Sequence, residues 1–170
     1  MRKTLVALAA LAALLNAAER RAITPTAVVP IGPYSPGILM DEFLYVSGQG
    51  AKNTEGRIPS DLEGQLHQCF ENVKTIVEAA GLTMEHVVYT QVYLADAGDE
   101  GPLNTVWKQY FPKLPPARST IGVAQLPGTP VEMSAVAVRD VSRKKPVVPP
   151  GYPSNSPLSP GVMAGDRRSS

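Results

Sequence analysis

Cysteine occurs once in the 170 residues, as Cys69, so no disulfide can close within the chain. Histidine occurs twice, as His67 and His86, and neither has a histidine or cysteine neighbour at metal-ligand spacing, so no metal centre is expected. Charge of one sign is missing too. Sixteen Lys and Arg stand against fifteen Asp and Glu, a net +1, which lacks the footprint of a polyanion-binding surface. No apolar run reaches the ~20 residues that span a bilayer. What remains is ordinary for a soluble globular chain, 44% hydrophobic and 18% charged, and long enough for one domain that buries a core without staples.

The two ends differ from the middle. Arg2 and Lys3 precede an unbroken apolar run over residues 5–15, followed by Asn16-Ala17-Ala18-Glu19. A charged start, a short apolar stretch and a small-residue exit make residues 1–18 a secretory signal peptide, and export to a periplasmic or extracellular space is expected. The −3 position is Leu15 or Asn16 instead of a small residue, which leaves an uncleaved anchor open. After cleavage no stable membrane association is expected. Loss of Arg2 and Lys3 leaves fourteen basic residues against fifteen acidic, which argues further against nucleic acid as a partner. From Val141 the composition shifts to Arg143-Lys144-Lys145 and then to prolines, so residues 141–170 are expected to form a disordered tail. Within it Pro157-Leu158-Ser159-Pro160-Gly161-Val162-Met163 echoes Pro33-Tyr34-Ser35-Pro36-Gly37-Ile38-Leu39, as the stub of a truncated second repeat would.

The span 23–140 carries the periodic elements. Tyr34 stands between Pro33 and Pro36, where a stiff loop would aim a phenol or simply pack it over a turn. Residues 42–47 read as a strand ending at Gly48-Gln49-Gly50. Ser60 and Glu63 have capping-box spacing and open a helix whose stripe runs Leu62, Leu66, Cys69, Phe70, Val73, Ile76, Val77 and Ala80, with Gly81 as its stop. Cys69 and the partnerless His67 belong to that packing and not to chemistry. Residues 86–94 read as a central strand. Pro102 reads as the first residue of a second helix presenting Leu103, Val106, Trp107, Tyr110 and Phe111. The order β, β, α, β, α, β, β predicts an α+β fold, a mixed sheet with two helices on one face.

Pro115-Pro116-Ala117-Arg118-Ser119-Thr120 places an arginine at the mouth of a stiffened strand, and a guanidinium there suits a small carboxylate. Glu132 lies in a second alternating run. If residues 126–130 turn the two runs into a hairpin, Arg118 and Glu132 share one cleft. On the residues alone, an edge-strand arginine and a solvated glutamate remain the alternative.

Five ordered stretches resemble the reactive intermediate/imine deaminase (Rid) family: residues 31–35, Val46-Ser47-Gly48-Gln49, residues 72–81, Pro116-Ala117-Arg118-Ser119 and Val131-Glu132-Met133. The resemblance implies a chorismate mutase-like fold and ring-shaped homotrimers with a cleft at each subunit interface. It matches Tyr34 to the family's active-site tyrosine, Ser47 and Gly48 to the wall of the cleft, and Asn104 to an interface asparagine. It implies a cofactor-independent hydrolase that converts 2-imino and 2-enamino acids to 2-keto acids and ammonia, with Arg118, Glu132 and Tyr34 catalytic and Ser47, Gly48, Asn104 and Arg118 holding substrate. Thr120 stands where many members carry cysteine, which leaves this chemistry intact because it needs no nucleophile. A non-catalytic carboxylate-binding protein is the alternative. Neither a histidine pair nor a basic stripe supports a ribonuclease.

Overall fold

The computed structural model describes residues 20–28, 32–153 and 156–165, so the expected signal peptide lies outside the described residues. Strands β1 (Arg20–Ile23), β2 (Gly37–Met40) and β3 (Phe43–Gly50) form an antiparallel meander. Helix α1 (Leu62–Ala79), strand β4 (Val87–Leu94), helix α2 (Glu100–Tyr110), strand β5 (Ala117–Gly122) and strand β6 (Val131–Val138) follow. The sheet order is β1-β2-β3-β6-β4-β5, with β4 and β5 parallel and every other pair antiparallel. This is a mixed α+β fold with two helices packed on a six-stranded sheet.

The expected hairpin between the Arg118 and Glu132 strands does not form. Strand β5 runs parallel to β4 through the α2 crossover, and β6 inserts between β3 and β4. Burial gives the reason. Strand β6 sinks Val131, Met133, Ala135 and Ala137 almost completely, which requires a central place, while every residue of β5, taken whole, keeps part of its surface exposed and that strand takes the edge.

The α1 stripe is buried as its spacing predicts, from Leu66 through Cys69, Phe70 and Val73 to Ile76 and Val77. Its Phe70 meets α2 through Trp107 edge-on at 6.1 Å and Tyr110 stacked at 4.6 Å. Three local readings are corrected. The cap of α1 is Asp61, whose carboxylate accepts from Gly64 N at 2.8 Å, and not Ser60. Helix α2 begins at Glu100, so Pro102 is its third residue, still within the turn whose N–H groups have no helical partner. Gly81 does end α1, at φ 81°. His67 is not partnerless, because its ring nitrogen lies 3.2 Å from the Tyr110 hydroxyl.

The tail is also corrected. Strand β7 (Lys144–Pro146) pairs antiparallel with β8 (Val162–Ala164), so the described part of 141–170 folds back on the domain instead of trailing from it. Leu158 packs against the core, and Trp107 donates its indole N–H to Pro157 O at 2.9 Å. Composition hid this, since prolines bar long strands but permit a short hairpin anchored by one apolar side chain.

Candidate active site

Ser47 ties the tyrosine loop to the sheet, since its N–H and its hydroxyl both donate to Pro36 O at 3.0 Å. Gln49, 6% exposed, donates from its amide to Ser47 O, Ser47 Oγ and Gly48 O at 3.0–3.1 Å. The pairing of β3 with β6 shifts between Val46 and Gln49, so Ser47 and Gly48 sit in an irregularity that turns them out of the ladder. Glu132 lies directly above. A Cβ built on Gly48 would collide with the Glu132 carboxylate, so glycine here makes room for the acid.

Tyr34, Ser47, Gly48 and Glu132 line one cavity of about 810 Å³. Its far wall is built by residues that sequence reasoning did not select. Thr129 accepts from Ala51 N at 3.0 Å and donates to Val131 O at 2.7 Å. Asn72 donates to Gly50 O and Lys52 O, both at 2.8 Å. Besides its place at the head of the 72–81 resemblance, Asn72 offers one signal, an amide in the middle of a helix, a poor place for asparagine unless it holds something outside. Cys69 hydrogen-bonds Gln49 O beneath the site, and burial, with the Glu132 charge nearby, pushes its thiol up. It is a packed thiol and no nucleophile.

Arg118 is not in that cavity. Its guanidinium donates to Asn104 Oδ1 at 2.7 Å, meets Glu100 Oε1 at 3.4 Å, and stacks 4.7 Å above the Trp107 ring. Register explains the separation. Arg118 pairs with Thr90 while Glu132 pairs with Tyr93, three positions further along β4. An odd offset puts the two side chains on opposite faces of the sheet, and β4 separates their strands. Of the six expected site residues, one chain therefore brings together Tyr34, Ser47, Gly48 and Glu132, and pairs Asn104 with Arg118 elsewhere.

The Arg118 side chain is wholly buried, yet among the described residues Nε and Nη1 have no hydrogen-bond partner. Burial draws its pKa downward and Glu100 draws it back up. Guanidinium stays charged in any such setting, so this is a buried cation short of acceptors. A planar carboxylate has two acceptors spaced to fit such an edge.

A family profile described as Endoribonuclease L-PSP matches residues 24–139. The chain is 40% identical over 120 residues to a RutC family protein of Aquifex aeolicus, covering 68% of this chain and 96% of that one. It is 40% identical over 124 residues to the 2-iminobutanoate/2-iminopropanoate deaminase of Homo sapiens, covering 70% and 90%. The fold is similar to the crystal structure of E. coli TdcF with bound serine, at TM-score 0.68 and 36% identity, covering 71% of this chain and 99% of that one.

Proposed function

The chain belongs to the Rid (endoribonuclease L-PSP) family, and from that premise we propose that it is a cofactor-independent deaminase of 2-imino and 2-enamino acids. The observation that carries this reading is the division of the site. One region of the fold offers Tyr34, Ser47, Gly48 and Glu132 around a cavity, and another offers a buried cation with two empty donors. Neither half suffices for a small imino acid. A second copy, placed so that its Arg118 and Asn104 meet this cavity, completes the cleft, and a homotrimer of chorismate mutase-like subunits supplies three such places.

In that cleft the substrate carboxylate takes the free edge of Arg118, with Asn104 fixing the guanidinium. The protonated imine carbon then faces Glu132. Glu132 takes a proton from water as the oxygen adds to carbon, giving a carbinolamine, and returns it to nitrogen; as the C–N bond breaks, it passes the hydroxyl proton to the departing ammonia. One iminium acid and one water become one 2-keto acid and one ammonium ion, with no redox change. Tyr34, 43% exposed at the rim in a single chain, is placed to orient the water or the nitrogen.

Mixing two inactive variants tests the division. Arg118→Ala and Glu132→Gln chains, unfolded and refolded together in equal amounts, should recover about a quarter of wild-type ammonia release from fresh 2-iminopropanoate, because each half-site is drawn independently. Either variant alone should stay inactive. Absence of any recovery in mixed, assembled protein would rule out a shared cleft.

A further inference from the structure

Residues 144–164 repeat residues 20–40 in spacing and hydrogen bonding as well as in sequence. Placing Lys144 on Arg20 aligns the two 21-residue stretches without a gap. Paired cations open both, Arg20-Arg21 and Lys144-Lys145, Pro149 falls on Pro25, and Pro-Leu-Ser-Pro-Gly at 157–161 falls on Pro-Tyr-Ser-Pro-Gly at 33–37. The strand registers coincide: Arg20 faces Met40 and Arg21 faces Leu39, while Lys144 faces Ala164 and Lys145 faces Met163. The same turn bond closes after each first strand, Val28 N to Pro25 O at 3.1 Å and Tyr152 N to Pro149 O at 3.3 Å. Each second strand ends at a residue of positive φ, Asp41 at 50° and Gly165 at 133°. Shared proline content accounts for matching prolines. It does not account for equal length, equal register and an equal turn, so the tail is a second copy of the β1–β2 hairpin.

The two copies use their common corner differently. The first hangs from β3 through Pro36 O and presents Tyr34 to the Glu132 cavity. The second docks at the other end of the sheet. There Pro157 O accepts from Trp107 Nε1 at 2.9 Å, Ser159 Oγ donates to Pro115 O at 2.6 Å, Ser159 bridges to Ala117 as a parallel strand would, and Leu158, half-buried, packs against the core. All of these receptor groups adjoin Arg118. Ala117 precedes it in the chain, and Trp107 carries its guanidinium.

We propose that the groove formed by Trp107, Pro115 and Ala117 is a receptor for a Pro-x-Ser-Pro-Gly corner, filled in cis by the tail hairpin, and that the corner at 33–37 of a second copy of this chain competes for it. The inference rests on the two-copy reading of the site. A tethered segment competes at an effective concentration in the millimolar range, so at micromolar protein the tail wins unless the second copy brings further contacts. With the tail seated, Leu158 stands where Tyr34 of the second copy would stand, and no phenol reaches the Arg118 end. The tail thereby sets how many clefts are completed.

Disulfide trapping tests this in the full chain, where the only native cysteine is buried. Ala117→Cys with Ser159→Cys should close within one chain. Ala117→Cys with Ser35→Cys should crosslink between chains, and adding Leu158→Asp to release the tail should raise that yield by about tenfold, the factor that ~1.4 kcal/mol of lost burial supplies. Leu158→Ser, a milder release, guards against misfolding, with far-UV circular dichroism as the check. A first pair that stays reduced, or a second whose yield is unmoved by both releasing changes, would overturn the proposal. The mixing of Arg118→Ala with Glu132→Gln is blind to the tail hairpin's identity, so recovery there with failure here rejects this inference alone.

Discussion

Arg118 and Glu132 differ in chemistry, and that difference predicts opposite failures. In the proposed reaction Arg118 holds a carboxylate that persists from substrate to product, so it would serve binding and turnover alike. Losing one partner of a buried charged pair costs about 2–5 kcal/mol, so Arg118→Ala should weaken 2-keto acid binding by roughly 30-fold or more in calorimetric titration. Glu132→Gln keeps the shape but cannot take a proton. Binding should survive while ammonia release falls by about 10²–10⁴-fold. If Glu132→Gln turns over at the wild-type rate, water is activated elsewhere and Tyr34 is the next candidate. What the sequence hid at this scale was distance. A hairpin between the two strands was the economical guess because they adjoin in the chain, and only the burial demanded by Val131, Met133, Ala135 and Ala137 sends β6 to the centre of the sheet. Gly48 was legible as a glycine at a strand end, but its reason, the carboxylate of Glu132 lying over it, needed the pairing of β3 with β6.

Elements carry their own tests. Asp61 caps α1 through Gly64 N, so Asp61→Ala should cost about 1 kcal/mol and lower Tm by roughly 2–4 °C, whereas Ser60→Ala should leave it unchanged. The tail hairpin responds to pH through Lys144. Buried, and held by Glu85 O at 3.0 Å, its ammonium is pushed down to about 8 from an ordinary 10.5, with Glu85 opposing the shift. Between those values the unfolded chain binds the proton that the folded chain has lost, so stability rises with pH across that window. Below it, the folded state bears the cost of a buried ammonium. Lys144→Met should abolish the rise, seen as the difference between wild-type and variant melting curves from pH 7.5 to 10.5. Helices were the most legible elements here because α1 repeats its apolar stripe over eighteen residues. The four-residue strands β1 and β2 and the three-residue strands β7 and β8 are too short to show a period, so pairing alone reveals them.

At the scale of the molecule, the helices cover one face of the sheet and leave a row of side chains on the other. Ala22, Ile38, Tyr45, Val136, Tyr89 and Ala117 are successive cross-strand partners through all six strands, and Tyr45 and Tyr89 are 48% and 38% exposed. An apolar band of that extent marks an interaction surface more often than a solvated one. Further copies of the chain would cover it and, in the same act, bring Arg118 of one copy to Glu132 of another. Assembly and turnover should then fail together. Tyr89→Lys puts an ammonium on the band, harmless in a single chain because that position is already wet, but costly once another copy closes over it. Sedimentation velocity should show the wild-type oligomer replaced by a folded monomer, and ammonia release should fall with the loss of oligomer, not with any loss of helix signal. Tyr45→Lys, two strands away on the same row, should do the same. A Tyr89→Lys chain that stays assembled and active would place the interface on another face and leave the band unexplained.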